Sequence, residues 1–170
     1  TIKPSFQDGP GYGYRRKARM SVRYNKKRGS IWMGFRHIHL PRVIVDCDAC
    51  PVLHSRLSEG LPTIKKAIAA LSVPDKIPQI ELMELQGSCS ITIRHLAPLT
   101  AEDNETLTAL ANQLGWSVFL QPKGPASTTL LQGPKSQGET FRVNYPHYSM
   151  AIGVHDFIQV NEKINDSLIE

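Results

Sequence analysis

Gly13-Tyr14-Arg15-Arg16-Lys17-Ala18-Arg19-Met20-Ser21-Val22-Arg23-Tyr24 is the stretch on which the predicted fold depends, because its side chains alternate as in a β-strand. The polar face of this strand carries Arg15, Lys17, Arg19, Ser21 and Arg23. The apolar face carries Ala18, Met20, Val22 and Tyr24, with Arg16 at its rim. The apolar face can join a core, whereas neighbouring cations on the polar face repel one another. The stretch therefore predicts a strand that binds an anionic partner.

The composition is that of a folded domain with an uneven charge. The chain has 170 residues, of which 41% are hydrophobic, so it can bury a core. Residues 1–45 hold eleven of the twenty Lys and Arg residues and only one acid, within a formal net charge of +5. A basic N-terminal block favours nucleic acid as the partner. An anionic membrane surface is a weaker alternative, because the cations follow a strand pattern rather than a basic amphipathic helix.

The cysteine number and the lack of signal-peptide and transmembrane patterns bear on the cellular compartment. Three cysteines and no signal-peptide pattern argue against a disulfide-built secreted domain. No run approaches the ~20 apolar residues of a transmembrane helix. We therefore expect a cytoplasmic protein with no membrane partner. The chain starts without Met and ends within a predicted helix, so we also expect a fragment of a longer protein.

Apolar periodicity and turn residues predict an α+β fold, with antiparallel strands and hairpins and about three helices. Strands are expected at residues 14–24, 30–36, 42–45, 79–85, 89–96, 116–121, 128–131, 140–144 and 148–152. A helical apolar stripe is formed by Leu53, Leu57, Leu61, Ile64, Ile68 and Leu71. Gly60 and Pro62 are expected to divide that helix. A second helix should begin at a Thr100 cap and end at Gly115, and a third should begin at Asn161.

Cys47 and Cys50 form a CxxC pair followed by Pro51. Such pairs occur in metal sites, iron–sulfur centres and thiol redox sites. A zinc site needs four ligands, however, and the sequence has no second CxxC pair. The residues alone leave these interpretations open, beside the simpler one of two half-buried thiols at the start of a helix.

Asp156-Phe157-Ile158-Gln159-Val160-Asn161 combines an aromatic residue with two amides, Gln159 and Asn161, on one side of an extended segment. Buried amides there would exchange hydrogen bonds with a polar ligand. An equally good interpretation is the start of a helix capped by Asn161.

Three segments, residues 12–19, 46–53 and 156–161, occur in an order and at a spacing that together indicate a family. Through them, and through residues 94–99, the chain resembles the S-adenosylmethionine-dependent RNA uracil-5-methyltransferases, most closely those that contain an iron–sulfur cluster and modify 23S ribosomal RNA. The resemblance implies a lead-in at residues 1–13, a central RNA-binding α+β domain at 14–155 and the start of a linker helix at 156–170. A Rossmann-like methyltransferase domain, absent from this sequence, would follow that helix.

The resemblance also implies roles for individual residues. Cys50 would supply one cysteine ligand of a [4Fe–4S] cluster, and Cys47 matches no ligand. Gln159 would contact S-adenosylmethionine and Phe157 would approach the target base. The residues expected to contact RNA are Arg15, Lys17, Arg19 and Arg23. The nucleophilic cysteine would lie in the absent domain; Cys89, in an alternating strand, is expected to pack in the core instead.

We therefore expect a catalytically inactive part of a monomeric enzyme that forms 5-methyluridine in 23S rRNA. One alternative is a tRNA uracil-5-methyltransferase, which Cys50 disfavours because the tRNA enzymes lack the cluster. The others are a non-catalytic RNA-binding module and a CxxC redox or metal protein.

Overall fold

The computed structural model describes residues 11–134, 140–145 and 147–169. Seven strands form its main sheet: β1 (Lys17–Asn25), β2 (Ser30–Arg36), β3 (Ile44–Asp46), β4 (Gln79–Leu85), β5 (Ser88–Arg94), β6 (Ser117–Gln121) and β7 (Thr129–Gln132). A separate hairpin contains β8 (Thr140–Asn144) and β9 (Ser149–Gly153). The helices are α1 (Ser55–Ala69), α2 (Ala101–Leu114) and α3 (Glu162–Ile169). The predicted α+β class with three helices is confirmed for the described residues. Most of the predicted lead-in, residues 1–10, lies outside them.

The basic strand lies in the middle of the sheet, whose order is β3-β2-β1-β4-β5-β6-β7. β1 pairs antiparallel with both β2 and β4. Ala18, Met20 and Val22 are buried, and the residues between them are more exposed, which confirms the predicted alternation. β1 begins only at Lys17, because Arg15 instead bridges to the backbone near Leu53 and Asn161.

α1 is one continuous helix, so the expected division at Gly60 and Pro62 is wrong. Pro62 is exposed, and the hydrogen bond that it cannot donate therefore falls on the solvent side of the helix. The apolar stripe is buried on both sides of Pro62; its members are Leu53, Leu57, Leu61, Ile64, Ile68 and Leu71. Burial of this stripe holds the helix together across the proline.

β5 and β6 form a parallel pair within the otherwise antiparallel sheet. Parallel neighbours need a long crossover, and α2 supplies it. The predicted caps of α2 are present: Thr100 and Asp103 form a reciprocal capping box, and Gly115 ends the helix with a φ of 67°. None of the described helices is long and apolar enough to cross a membrane.

The two faces of the sheet have different surroundings. α1 and α2 share one apolar core with the first face, in which Met20, Ile91 and Val118 are fully buried. On the second face, Phe119 packs with Phe141 of the β8–β9 hairpin in a smaller core, their ring centroids 6.4 Å apart. This smaller core covers only the part of the second face near β4 and β6. The part formed by β1, β2 and their neighbours remains accessible.

Candidate nucleic-acid interface

We call the accessible part of the second sheet face the open face. It carries four arginines: Arg19, Arg23, Arg36 and Arg94. A cleft of about 460 Å³ lies between three of them, Arg19, Arg36 and Arg94. Strand register places them together, because Ser21 of β1 pairs with Gly34 of β2 and with Gln79 of β4. Gln79 in turn pairs with Arg94. The cleft is thus built across four adjacent strands.

The arginines of the open face are held in place and yet remain exposed. Arg19 lies 2.8 Å from a carboxylate oxygen of Glu81, but its side chain is 68% exposed whereas that of Glu81 is 11% exposed. Arg36 donates hydrogen bonds to the hydroxyl of Ser21, at 3.2 Å, and to the carbonyl of Pro41, at 3.1 Å. A guanidinium has five N–H donors, so donors remain for an anion. Glu81 supplies one carboxylate against the four guanidinium groups, so these five side chains together carry a net positive charge.

Two of the cations predicted to contact RNA, Arg15 and Lys17, are not among these four arginines. The Lys17 ammonium donates hydrogen bonds to the backbone carbonyls of Val154, at 2.9 Å, and Asp156, at 2.6 Å. Burial lowers its pKa, although the carboxylates of Glu81 and Asp156 act to raise it. Arg15 is half-buried and lies beside the chain that leads into α1, where its backbone N–H donates to the Val52 carbonyl at 2.8 Å.

Arg16, expected at the rim of the apolar face, is buried. Its Nε donates to the backbone carbonyl of Gln159 at 2.8 Å, and its Nη1 lies 2.8 Å from Glu162 Oε1. A buried guanidinium needs such partners, because an unpaired buried charge is costly. Arg16 and Lys17 together fasten β1 to the segment at residues 154–162.

This fastened segment carries Phe157, whose side chain is 84% exposed. A second cleft, of about 350 Å³, lies between Phe157, Lys17, Arg19 and His155. Arg19 lines both clefts, so the predicted base-contacting aromatic and the open face adjoin each other. The Gln159 side chain is exposed, and Asn161 Oδ1 accepts from the Ile164 N–H at 3.2 Å. The interpretation as a capped helix start is therefore confirmed, and that of paired buried amides is wrong.

The CxxC pair connects β3 to α1. Cys50 is buried, and its backbone N–H donates to the Ser58 hydroxyl at 2.9 Å. Cys47 is half-buried; burial, and then the nearby Cys50, raise the pKa of its thiol. The part of the chain that the structure describes has no group of three or more metal-ligating side chains. A [4Fe–4S] cluster takes four thiolates, so these residues do not fit a cluster without ligands from elsewhere.

Cys89 occupies a different environment, inside the main core beside Ile91 and Ile93. Burial raises the pKa of its thiol to about 11. A thiol in that state is a poor nucleophile at neutral pH. This supports the expectation that Cys89 has a packing role.

Arg36 and Arg94 were not predicted to contact RNA, although the sequence contained a signal for both. Arg36 ends the predicted strand at residues 30–36, and Arg94 lies in the predicted strand at 89–96. Like Arg19, each lies in a predicted strand whose side chains alternate between two faces. Only the order of the strands in the sheet shows that all three share one face.

The chain has close sequence relatives among RNA-modifying enzymes, although no protein-family model matches it. The 23S rRNA (uracil(1939)-C(5))-methyltransferase RlmD of Alkalilimnicola ehrlichii is 36% identical over 166 residues. The protein of the same name from Hahella chejuensis is 37% identical over 163 residues. The resemblance to the RNA uracil-5-methyltransferase family is confirmed. Each alignment covers 95% of this chain but 36% of the relative, so the chain spans little more than a third of their length.

A solved structure shows the same fold. The crystal structure of Pyrococcus abyssi tRNA (uracil-54, C5)-methyltransferase, in complex with S-adenosyl-L-homocysteine, superposes with a TM-score of 0.65. The match covers 95% of this chain and 41% of the other, with 18% sequence identity. At that identity the likeness extends to the fold alone.

Proposed function

We propose that this chain is the central, RNA-engaging part of an S-adenosylmethionine-dependent enzyme that forms 5-methyluridine in 23S rRNA. The observation that carries the proposal is the open face, with its arginine-lined cleft beside Phe157. Guanidinium groups bind phosphate oxygens strongly and without reading sequence. An exposed aromatic next to them is suited to stacking on an unpaired base. The names of the relatives specify the RNA and the reaction.

Within this proposal, both cofactors depend on parts of a longer protein. Cys50 supplies one ligand of a [4Fe–4S] cluster, and Gln159 contacts S-adenosylmethionine. The two cofactor sites are completed outside residues 14–155, which form the RNA-binding domain. Residues 156–170 begin the linker to the methyltransferase domain, which holds the nucleophile. The 170-residue chain alone is therefore inactive, and the whole enzyme acts as a cytoplasmic monomer on ribosomal RNA.

The experiment measures binding of this chain to a 23S rRNA fragment that contains the uridine named for the relatives, by fluorescence anisotropy over a series of salt concentrations. Affinity should fall steeply with salt, because phosphate contacts release counterions. Arg19→Ala, Arg36→Ala and Arg94→Ala should each make the logarithmic salt slope shallower by about 1. Lys66→Ala is the matched control, since Lys66 is exposed on α1, which covers the other sheet face.

Two results would contradict the proposal. Binding that does not depend on salt would exclude the open face as the contact surface. An equal loss in the Lys66→Ala control would indicate a general charge effect. Competition with unmodified tRNA distinguishes the alternative substrate, because a tRNA enzyme should prefer tRNA over the rRNA fragment.

A further inference from the structure

The β2–β3 loop, residues 37–43, presents two large apolar side chains to solvent. Ile38 is 84% exposed and Leu40 is 57% exposed. Scattered exposed apolar residues are ordinary on a protein surface, but these two lie two residues apart in one short loop. Neither belongs to the two apolar cores among the described residues. Packing of the described residues against the two cores therefore does not explain their position.

The loop is closed by its own backbone. The His37 N–H donates to the Val43 carbonyl at 2.9 Å, and the Val43 N–H donates to the Leu40 carbonyl at 2.8 Å. The first of these bonds continues the pairing of β2 with β3 by one more step. These bonds fix both ends of the loop, whose middle carries the exposed Ile38 and Leu40.

Two arginines of the open face support the loop from outside. Arg36 Nη1 donates to the Pro41 carbonyl at 3.1 Å, and Arg23 Nη2 donates to the Arg42 carbonyl at 2.9 Å. The loop and the open face are thus parts of one connected surface. An anion bound by Arg36 would lie next to the loop.

The charge around the tip restricts the kind of partner. Residues 36–45 contain Arg36 and Arg42 and no carboxylate. A surface that combines cations with projecting aliphatic side chains matches a ligand with anionic and flat apolar parts. Unpaired RNA has both, in its phosphates and its base faces.

We propose that Ile38 and Leu40 insert against unpaired bases of the RNA held on the open face, and so keep those bases out of their stack. In complexes with duplex DNA, inserted aliphatic side chains partly unstack neighbouring bases. A uracil must leave its stack before an enzyme can reach its ring carbons. This inference rests on the proposed function and adds a specific element that prepares the RNA for modification.

The test uses this chain with two RNAs of equal length: a hairpin with an unpaired loop that contains 2-aminopurine, and a fully paired duplex. The wild type should raise 2-aminopurine fluorescence in the hairpin. The double variant Ile38→Ser/Leu40→Ser should lose that rise and bind the hairpin at least about fivefold more weakly, with duplex affinity and salt slope unchanged. Ile38→Phe should keep the rise. Met150→Ser, which changes an exposed apolar residue of β9, is the control and should behave as wild type.

The outcomes separate the two proposals. If the wild type binds neither RNA, the proposed function fails together with this inference. If it binds both but the double variant loses nothing, or loses equally on hairpin and duplex, only the role of the loop is overturned. If the double variant instead changes self-association in sedimentation and leaves RNA binding intact, the loop is a protein contact and the inference is overturned.

Discussion

The Lys17 ammonium nitrogen lies 2.6 Å from the carbonyl oxygen of Asp156, and this contact joins the central strand to the segment that carries Phe157. The same nitrogen donates to the Val154 carbonyl at 2.9 Å. Lys17 therefore positions a neighbouring segment, in addition to any contact that it makes with RNA. Its neighbour Arg19, by contrast, points its charge into the open face.

Lys17→Met keeps most of the aliphatic stem and removes both hydrogen bonds. Amide hydrogen exchange at residues 153–158 should accelerate, and the free energy of unfolding should fall by about 1–2 kcal/mol. Hydrogen exchange with mass spectrometry and urea unfolding measure the two effects. Lys66→Met, on the exposed side of α1, is the control and should change neither. Unchanged exchange at residues 153–158 in Lys17→Met would show that Lys17 does not hold the segment.

Arg16→Lys should destabilise the protein even though the charge is kept. Arg16 donates from two different nitrogens, to the Gln159 carbonyl and to Glu162. A lysine ammonium does not reproduce this fork, so we expect a loss of about 1–3 kcal/mol in urea unfolding.

Glu162→Gln is the companion variant, and it should cost less because the Glu162 side chain is partly exposed and the amide can still accept a hydrogen bond. Faster hydrogen exchange in α3 should accompany the loss in Arg16→Lys. Stability of Arg16→Lys equal to that of the wild type would mean that the pair does not anchor α3.

Sequence-local features of the fold were predictable, and long-range ones were not. The alternation of β1 and the Thr100 capping box depend on neighbours within a few residues, and both are present. Arg16 lies just before β1 and is buried like the apolar residues of that strand, and its partner Glu162 is 146 residues away. No local pattern identifies such a partner. The continuity of α1 through Pro62 likewise depends on burial of the stripe by the sheet, which outweighs the lost hydrogen bond.

In the candidate site, too, local patterns were predictable from the sequence and long-range contacts were not. Period two correctly placed Arg19 and Arg23 on an accessible sheet face. The same period included Lys17, but it gave no sign that the Lys17 ammonium donates hydrogen bonds to the carbonyls of Val154 and Asp156. It omitted Arg36 and Arg94, because their position beside Arg19 follows from strand order across the sheet.

Asp103→Asn should make stability less sensitive to acid. Burial alone would raise the pKa of Asp103, but the hydrogen bonds that Ser72 and Thr100 donate to its carboxylate lower it overall. Since the folded protein then holds the proton less tightly than the unfolded chain, this stability is present above about pH 4 and is lost as pH falls through the folded pKa.

We expect Asp103→Asn to lose about 1–3 kcal/mol at pH 7 and much less at pH 2–3, which flattens the acid limb of the stability profile. Urea unfolding at a series of pH values measures this. Glu105→Gln, on the exposed side of α2, should retain the acid limb of the wild type. If the stability of Asp103→Asn varied with pH in parallel with the wild type, the Asp103 carboxylate would not be the source of the acid sensitivity.

Gly60→Ala should destabilise the protein, against the usual preference of helices for alanine. A Cβ at Gly60 would lie 2.6 Å from a ring carbon of Trp116, which is itself buried. The overpacking cost of about 1–3 kcal/mol should exceed the gain of about 1 kcal/mol in helix propensity. In a Trp116→Leu background the same substitution should cost less, and this non-additivity is measured by urea unfolding of all four proteins. A stabilising Gly60→Ala would show that the ring can move aside.

Cys89 should resist alkylation as long as the protein is folded. Its thiol is buried and its pKa is raised to about 11, so the reactive thiolate is scarce at pH 8. In the folded protein, iodoacetamide should alkylate the half-buried Cys47 slowly and Cys89 not at all. In urea it should alkylate both, and mass spectrometry measures the extent of labelling. Cys89→Ala should cost about 1 kcal/mol of stability and leave affinity for RNA unchanged. Rapid labelling of native Cys89 would instead identify a reactive thiol in this chain, and its assignment to the core would then have to be abandoned.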